Sequence, residues 1–311
     1  MSSIDIVIPC YLYGKYLRDC VQSVLAQDGV DLRVLIIDDE SPDETLEVGA
    51  ALAREDARVT YRRHAANRGH IDTYNEGIAW ASADCMLLIS ADDYLLPGAL
   101  RRAMDLMDAH ADMGLCFGEA LELQHGGGMR PLKLDIDAAD GSSTVLSSDE
   151  FVRLCARAGS SHVVPTPTAV VRTALLKHLG GYRTDLPHTG DLEMWLRLAA
   201  HSRVGVVKVD QAVYRRHGAN MSDAYLHDNC LSDLQHRKAA FDAFRDTCRD
   251  ALPNVHCLHT SLLPSLSNDA LGLAARAFHN HRLDLSRRLC DFAASVHPSV
   301  RRVPAWKRLA G

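Results

Sequence analysis

Met86-Leu87-Leu88-Ile89-Ser90-Ala91-Asp92-Asp93 decides the fold: four large apolar residues in a row, then a turn carrying two carboxylates. A run this short and this apolar reads as a strand buried on both faces, since a half-exposed strand would alternate with polar residues. Both faces must then be covered by helices, and the preceding residues supply them. Ile4 to Ile8 reads as a strand stopped by Pro9, and Tyr16, Leu17, Cys20, Val21, Val24 and Leu25 fall at helical spacing. Val34 to Ile37 is a second strand, ending in Asp38-Asp39. Strand, helix and parallel strand make one right-handed crossover unit. A helix over 43–54, a strand over 58–62 and a helix over 74–81 continue the alternation up to the central run. The fold class is therefore α/β, a mixed and mostly parallel sheet flanked by helices. Such sheets bind ligands beyond the carboxyl ends of their strands, so Asp38-Asp39 and Asp92-Asp93 are placed to share one crevice.

Pro97 opens a helix over 98–109, and 113–118 reads as another strand. The stretch 123–140, with Gly126-Gly127-Gly128, has little to bury and is expected to be a mobile loop. Helices follow over 148–157, 173–179 and 191–200, with a strand over 204–209. The front domain is expected to span 1–222, in halves 1–118 and 119–222. Residues 223–311 show helical periodicity at 231–248 and 269–296 without strands, and are expected to form a small helical C-terminal subdomain.

With 311 residues, 47% of them apolar, the chain can bury a full core, and its net charge of −6 gives no reason to expect nucleic-acid binding. Nine cysteines with no CxxC pair favour reduced, buried thiols. The N-terminus has no basic and apolar leader pattern, and no window reaches the roughly 18 apolar residues of a membrane span. The expectation is a cytoplasmic protein. Near the C-terminus, Arg282, Arg287, Arg288, Arg301, Arg302, Lys307 and Arg308 surround Trp306. A solvated helix surface explains them; a peripheral contact with the inner face of a membrane, with Trp306 as its anchor, is the sharper reading.

Paired carboxylates on a turn leaving a buried strand suit Mg2+ or Mn2+, which prefer oxygen ligands and bridge phosphates. Alone this says little, because acidic turns at strand ends are common. The order of five motifs says more: Ile6-Val-Ile-Pro9-Cys-Tyr11, Leu35-Ile-Ile-Asp38-Asp39-Glu-Ser41, Ser90-Ala-Asp92-Asp93, Gly190-Asp191-Leu-Glu-Met-Trp195, and Tyr214-Arg215-Arg216-His217-Gly-Ala-Asn220-Met-Ser222. Together they resemble the family 2 inverting glycosyltransferases of the GT-A fold, over roughly residues 4 to 222.

The resemblance implies that Pro9 and Tyr11 shape the nucleotide pocket and that Asp39 hydrogen-bonds the base, typically uracil. A carboxylate can accept the imide N–H of uracil, which cytosine lacks. Arg68, within Asn67-Arg-Gly-His70, falls in a segment beside the nucleotide. Asp92 is implied as a contact to donor ribose or sugar, and Asp93 and His217 as ligands of Mg2+ or Mn2+. Arg215 and Arg216 suit phosphate contacts, since guanidinium forks match phosphate oxygens. Asp191 matches the catalytic base; at the start of its helix it is equally suited to capping, and the helix terminus favours its negative charge. One departure matters: Ser90 stands where the family's Asp-x-Asp triplet has its first aspartate. Fewer carboxylates imply that the ion enters as a complex with the diphosphate. The implied donor is a nucleotide-sugar, typically a UDP-sugar, and the implied acceptor a glycan or lipid-linked glycan.

Two rivals were weighed. A sugar-phosphate nucleotidyltransferase would need a Gly-rich basic loop, which Pro9-Cys-Tyr-Leu-Tyr-Gly14 does not supply. A non-catalytic nucleotide-binding adaptor, acting through its helical C-terminus, would release no nucleoside diphosphate from a donor.

Overall fold

The structure, a computed structural model, describes residues 2–158, 163–218, 220–221 and 230–310. The chain divides into two compact units: Met1–Ser148, Val164–Pro187 and His201–Gly218 form the first, and Asp149–Val163, His188–Ala200 and Ala219–Gly311 the second. A single boundary at 222 therefore does not describe the division. Residues 149–163 and 188–200 group with the C-terminal helices, with His188 reaching Asp233 and Thr189 the His236 carbonyl, and residue 222 itself lies outside the described residues.

The first unit holds the whole sheet. Its strands are β1 (Ser3–Cys10), β2 (Asp31–Asp38), β3 (Val59–Arg63), β4 (Cys85–Leu88), β5 (Tyr94–Leu95), β6 (Met113–Leu123), β7 (Met129–Leu132), β8 (Ser143–Leu146), β9 (Val170–Arg172) and β10 (Arg203–Arg215). They lie in the order β3-β2-β1-β4-β9-β6-β10-β5, with β7 beside β6 and β8 beside β10. The β3-β2-β1-β4 set is parallel throughout, as is β6 with β10. Between these sets β9 runs antiparallel to both β4 and β6.

Helices α1 (Gly14–Leu25), α2 (Thr45–Glu55), α3 (His70–Trp80), α4 (Ala99–Ala109) and α6 (Thr173–Leu179) belong to this unit. α1 buries Leu17, Cys20, Val21 and Val24, the spacing read from the sequence, in a cluster with Ile4, Ile6, Ile8, Val34 and Ile36.

Two expectations are corrected. β1 does not stop at Pro9: it runs to Cys10, with Pro9 in register with Ile37. No β4 residue pairs with β1 beyond Val7, so a residue lacking an N–H costs no ladder bond on that side. The stretch 123–140 is not all loop. Gly126-Gly127-Gly128 turns the chain into β7, which pairs antiparallel with β6 from Ala120↔Leu132 to Leu123↔Met129. The short strands β5 and β9 were not read from the sequence at all.

The second unit is helical. It contains α5 (Ser148–Arg157) from Asp149 onward, α7 (Gly190–His201) up to Ala200, α8 (Cys230–Thr247), α9 (Val255–His279), α10 (Leu283–Val296) and α11 (Pro304–Ala310). In α7 the buried Glu193 and Arg197 pair at 2.9 Å, and Trp195 is buried beside them in sequence. Arg237 of α8 reaches Asp269 of α9 at 2.9 Å. Trp306 is half-buried, and its indole N–H donates to the Cys290 carbonyl at 3.1 Å. It anchors α11 to α10 rather than standing out toward a partner.

α3 packs on β1 through Gly77: a Cβ placed there would stand 2.3 Å from Val7 Cγ1. Val7 is fully buried and β-branched, so it cannot turn aside. Gly77→Ala is therefore expected to destabilise the fold by about 1–3 kcal/mol, read as a lower denaturation midpoint in urea. An unchanged midpoint would show that the helix shifts freely.

Candidate active site

Parallel strands place their carboxyl ends on one edge, and the acidic residues fall there. β1 ends in Cys10, β2 in Asp38, and β4 is followed by the turn that carries Asp92 and Asp93. The segment after β1 is held by the segment after β2: the Leu12 N–H donates to Ser41 Oγ at 3.2 Å and the Gly14 N–H to Asp43 Oδ2 at 3.0 Å. Asp38 is buried and accepts from the Ser41 N–H at 2.7 Å, the Tyr61 hydroxyl at 2.7 Å and Arg63 at 3.1 Å. Pro9 is buried within β1, whereas Tyr11 is 43% exposed on the turn beyond it. Leu12 adopts a positive φ of 63°, which turns the chain back into α1.

Asp39 is the hub of the segment that follows β3. Its carboxylate accepts the backbone N–H groups of Arg68 at 2.7 Å and Gly69 at 2.8 Å, and His64 Nδ1 stands 2.6 Å away. The Arg68 guanidinium pairs with Glu76 at 2.9 Å. Asp39 and Arg68, expected beside the nucleotide, are thus brought together. His64 and Glu76 were missed, because a lone histidine after a strand and a glutamate inside a helix carry no motif.

Asp92 and Asp93 are both buried, at 3% and 2% exposure. Asp92 Oδ2 lies 2.9 Å from His217 Nε2, and Asp93 Oδ1 accepts the Arg215 N–H at 2.9 Å. Arg215 also donates from Nε to the Asp92 carbonyl at 2.9 Å. Its guanidinium lies over the rings of Tyr16 at 4.5 Å and Tyr94 at 5.5 Å. The His217 ring rests on Tyr16 at 5.0 Å and meets Tyr13 edge-on at 5.3 Å. Tyr16 therefore packs against both basic groups, a part that its place in the helical spacing of α1 concealed. Arg216 donates its backbone N–H to Leu123, and its guanidinium lies over Tyr214 at 5.9 Å.

Burial, and then the charge of Asp92, push the Asp93 carboxyl well above its usual range. Burial likewise raises the Cys10 thiol to about 12, and burial with the Asp93 charge raises Cys20, so neither is a thiolate nucleophile. Asp93 and His217 offer oxygen and imidazole donors, which suit Mg2+ or Mn2+, and a dication would relieve the repulsion between the carboxylates. Among the described residues no group of three or more His, Cys, Asp or Glu forms a ready cage.

Asp191 belongs to the second unit, in the first turn of α7, where its Oδ1 accepts the Leu192 N–H at 2.7 Å. Of the last motif, Ala219 and Ser222 lie outside the described residues.

Ten strands flanked by helices, with acidic turns at the carboxyl edge, define the GT-A class of glycosyltransferase folds. Staphylococcus aureus TarS, residues 1–349, solved with UDP-GlcNAc, superposes with a TM-score of 0.61 at 17% identity, over 96% of this chain and 92% of that one. The Pyrobaculum calidifontis mannosyltransferase PcManGT, solved with GDP-Man and Mn2+, gives 0.56 at 16% identity, over 99% and 83%. Residues 5–180 match Glycosyl transferase family 2, and the chain belongs to that family. The uncharacterized protein MT1568 of Mycobacterium tuberculosis is 29% identical over 230 residues, 70% of this chain and 67% of that protein. Further curated relatives are matched over only 28–35% of their own length. Family membership carries glycosyl transfer from a nucleotide-sugar as the class of reaction.

A buried carboxyl raised above its unfolded value holds a proton that the unfolded chain has released, so its cost to stability grows as pH rises through that range. Asp93→Asn keeps an acceptor for the Arg215 N–H and removes the repulsion. It is expected to raise the thermal midpoint of the metal-free protein at pH 7 by about 2–4 °C, with the gain shrinking toward pH 4, while abolishing transfer. A lower midpoint at pH 7 would contradict the electrostatic account.

Proposed function

We propose that the chain is an inverting glycosyltransferase that moves a sugar from a UDP-sugar to a hydroxyl of a glycan or lipid-linked glycan. The observation that carries this reading is the buried Asp92-Asp93 pair beyond β4, tied to His217 and Arg215. A diphosphate leaving group needs its charge offset where it departs, and this is the acidic and basic cluster able to organise that.

In the proposed reaction Pro9 and Tyr11 shape the nucleotide pocket, Asp39 accepts from the base, and Arg68 flanks it. Asp92 contacts the donor ribose or sugar. Asp93 and His217 would hold Mg2+ or Mn2+, which when bound would supply positive charge to the leaving diphosphate. Arg215, fixed by the Asp92 carbonyl and two tyrosine rings, adds a rigid cation beside the carboxylates, and Arg216 is assigned to phosphate with it. Asp191 takes the proton of the acceptor hydroxyl. The hydroxyl oxygen bonds to the anomeric carbon as the bond from that carbon to the diphosphate oxygen breaks. Nucleoside diphosphate departs with the bonding electrons, and the anomeric configuration inverts in this single displacement.

Among the described residues no helix is long and apolar enough to cross a membrane. For a lipid-linked acceptor we assign the working location to the cytoplasmic face of a membrane. The exposed Arg287, Arg288, Arg301 and Arg302 suit a peripheral contact there.

Asp191→Asn is expected to lower turnover by at least about 10²-fold while nucleotide affinity is kept, measured by release of nucleoside diphosphate alongside calorimetric titration. Retained turnover would remove Asp191 from the role of base. EDTA is expected to abolish transfer, and added Mn2+ or Mg2+ to restore it; an enzyme indifferent to chelation would reject the metal assignment.

A further inference from the structure

His64 and Glu76 lie outside every motif, yet together with Arg68 they close a circuit around Asp39. His64 follows β3, its N–H donates to the Asp38 carbonyl at 2.9 Å, and its side chain is 5% exposed. Nδ1 stands 2.6 Å from Asp39 Oδ1, and Nε2 stands 3.0 Å from Glu76 Oε2. Glu76 Oε2 also receives Arg68 Nη1 at 2.9 Å, while the Arg68 N–H returns to Asp39 Oδ1 at 2.7 Å.

A carboxylate oxygen offers two lone pairs. Both on Asp39 Oδ1 are taken, one by His64 and one by the Arg68 N–H. Oδ2 holds the Gly69 N–H at 2.8 Å and keeps one acceptor position. We propose that His64, by filling Oδ1, makes Asp39 a reader of a single donor and so selects uracil over guanine. This rests on the assignment of Asp39 to the nucleotide base. Uracil presents one imide N–H flanked by two carbonyls. Guanine presents N1–H and its exocyclic N–H side by side, an edge that a carboxylate matches only with both oxygens free. With Oδ1 full, the second guanine donor is buried without an acceptor, which weakens binding. The fold leaves this choice open, since TarS is solved with UDP-GlcNAc and PcManGT with GDP-Man. His64 is thus a positioning residue for specificity, acting through Asp39.

The test is calorimetric titration of UDP and GDP, with Mg2+, into the full chain. Wild type is expected to favour UDP by at least about tenfold, the usual scale for one unpaired buried donor. In His64→Leu, one acceptor position of Oδ1 is opened, the Arg68 N–H keeping the other, and the UDP-to-GDP preference is expected to fall by about fivefold or more. His64→Gln reads the same if the leucine variant does not fold, because its amide reaches toward Glu76 and leaves Oδ1 open. His64→Asn, whose amide stands near the position of Nδ1, is expected to keep the preference. A merely structural role would move both affinities together and leave their ratio alone. A wild type that prefers GDP overturns the inference, as does a ratio unmoved in both His64→Leu and His64→Gln. Asp39→Asn separates the failures. If it leaves UDP affinity intact, the assignment of Asp39 to the base is wrong; if it weakens UDP while the His64 variants change nothing, only the inference fails.

Discussion

Two carboxylates side by side in a buried turn are an unfavourable arrangement, and the first unit is organised around tolerating it. Asp92 and Asp93 lose hydration, and among the groups that compensate them are the Arg215 N–H, the His217 imidazole and the Arg215 guanidinium nearby. Every one of those groups comes from the end of β10 or just past it, so the long β6–β10 pairing serves as the support of an electrostatic site. Tyr13, just before α1, and Tyr16 within it complete it by packing against the basic groups. Stability is sacrificed locally where negative charge is needed for function.

The second acidic hub works differently. Asp39 is held by donors on both of its oxygens, with one acceptor position left on Oδ2, and its contacts with Arg68 and Gly69 fix the segment between β3 and α3. One hub is a buried like-charged pair and the other a carboxylate ringed by N–H donors, although both are aspartates just beyond parallel strands. Environment, not residue type, separates them.

Much of this was legible. Apolar runs located β1, β2 and β4 because strands buried on both faces are continuously apolar, and helical spacing located α1 and α7. The acidic pairs could be placed on one edge from strand direction alone. What escaped had weaker local signals. β9 is three residues long and is a strand only because β4 and β6 flank it. Pro264 lies inside α9 and hid its first half, although the helix begins at Val255. His64, Glu76 and Tyr16 act through partners distant in sequence, and pairwise geometry of that kind leaves no periodicity to read. The grouping of α7 with the C-terminal helices was equally invisible, since it depends on which face packs where.

The position of β9 has a consequence for how the chain is made. β4 and β6 are separated by about twenty-five residues of sequence, yet they never touch; residues 170–172 must arrive to bridge them. Until a ribosome has delivered that segment, the four parallel strands end in an open edge at β4, whose unpaired amides are a template for another chain. The nascent protein is therefore most vulnerable to intermolecular pairing during one interval of synthesis, which closes when three residues slide into the gap.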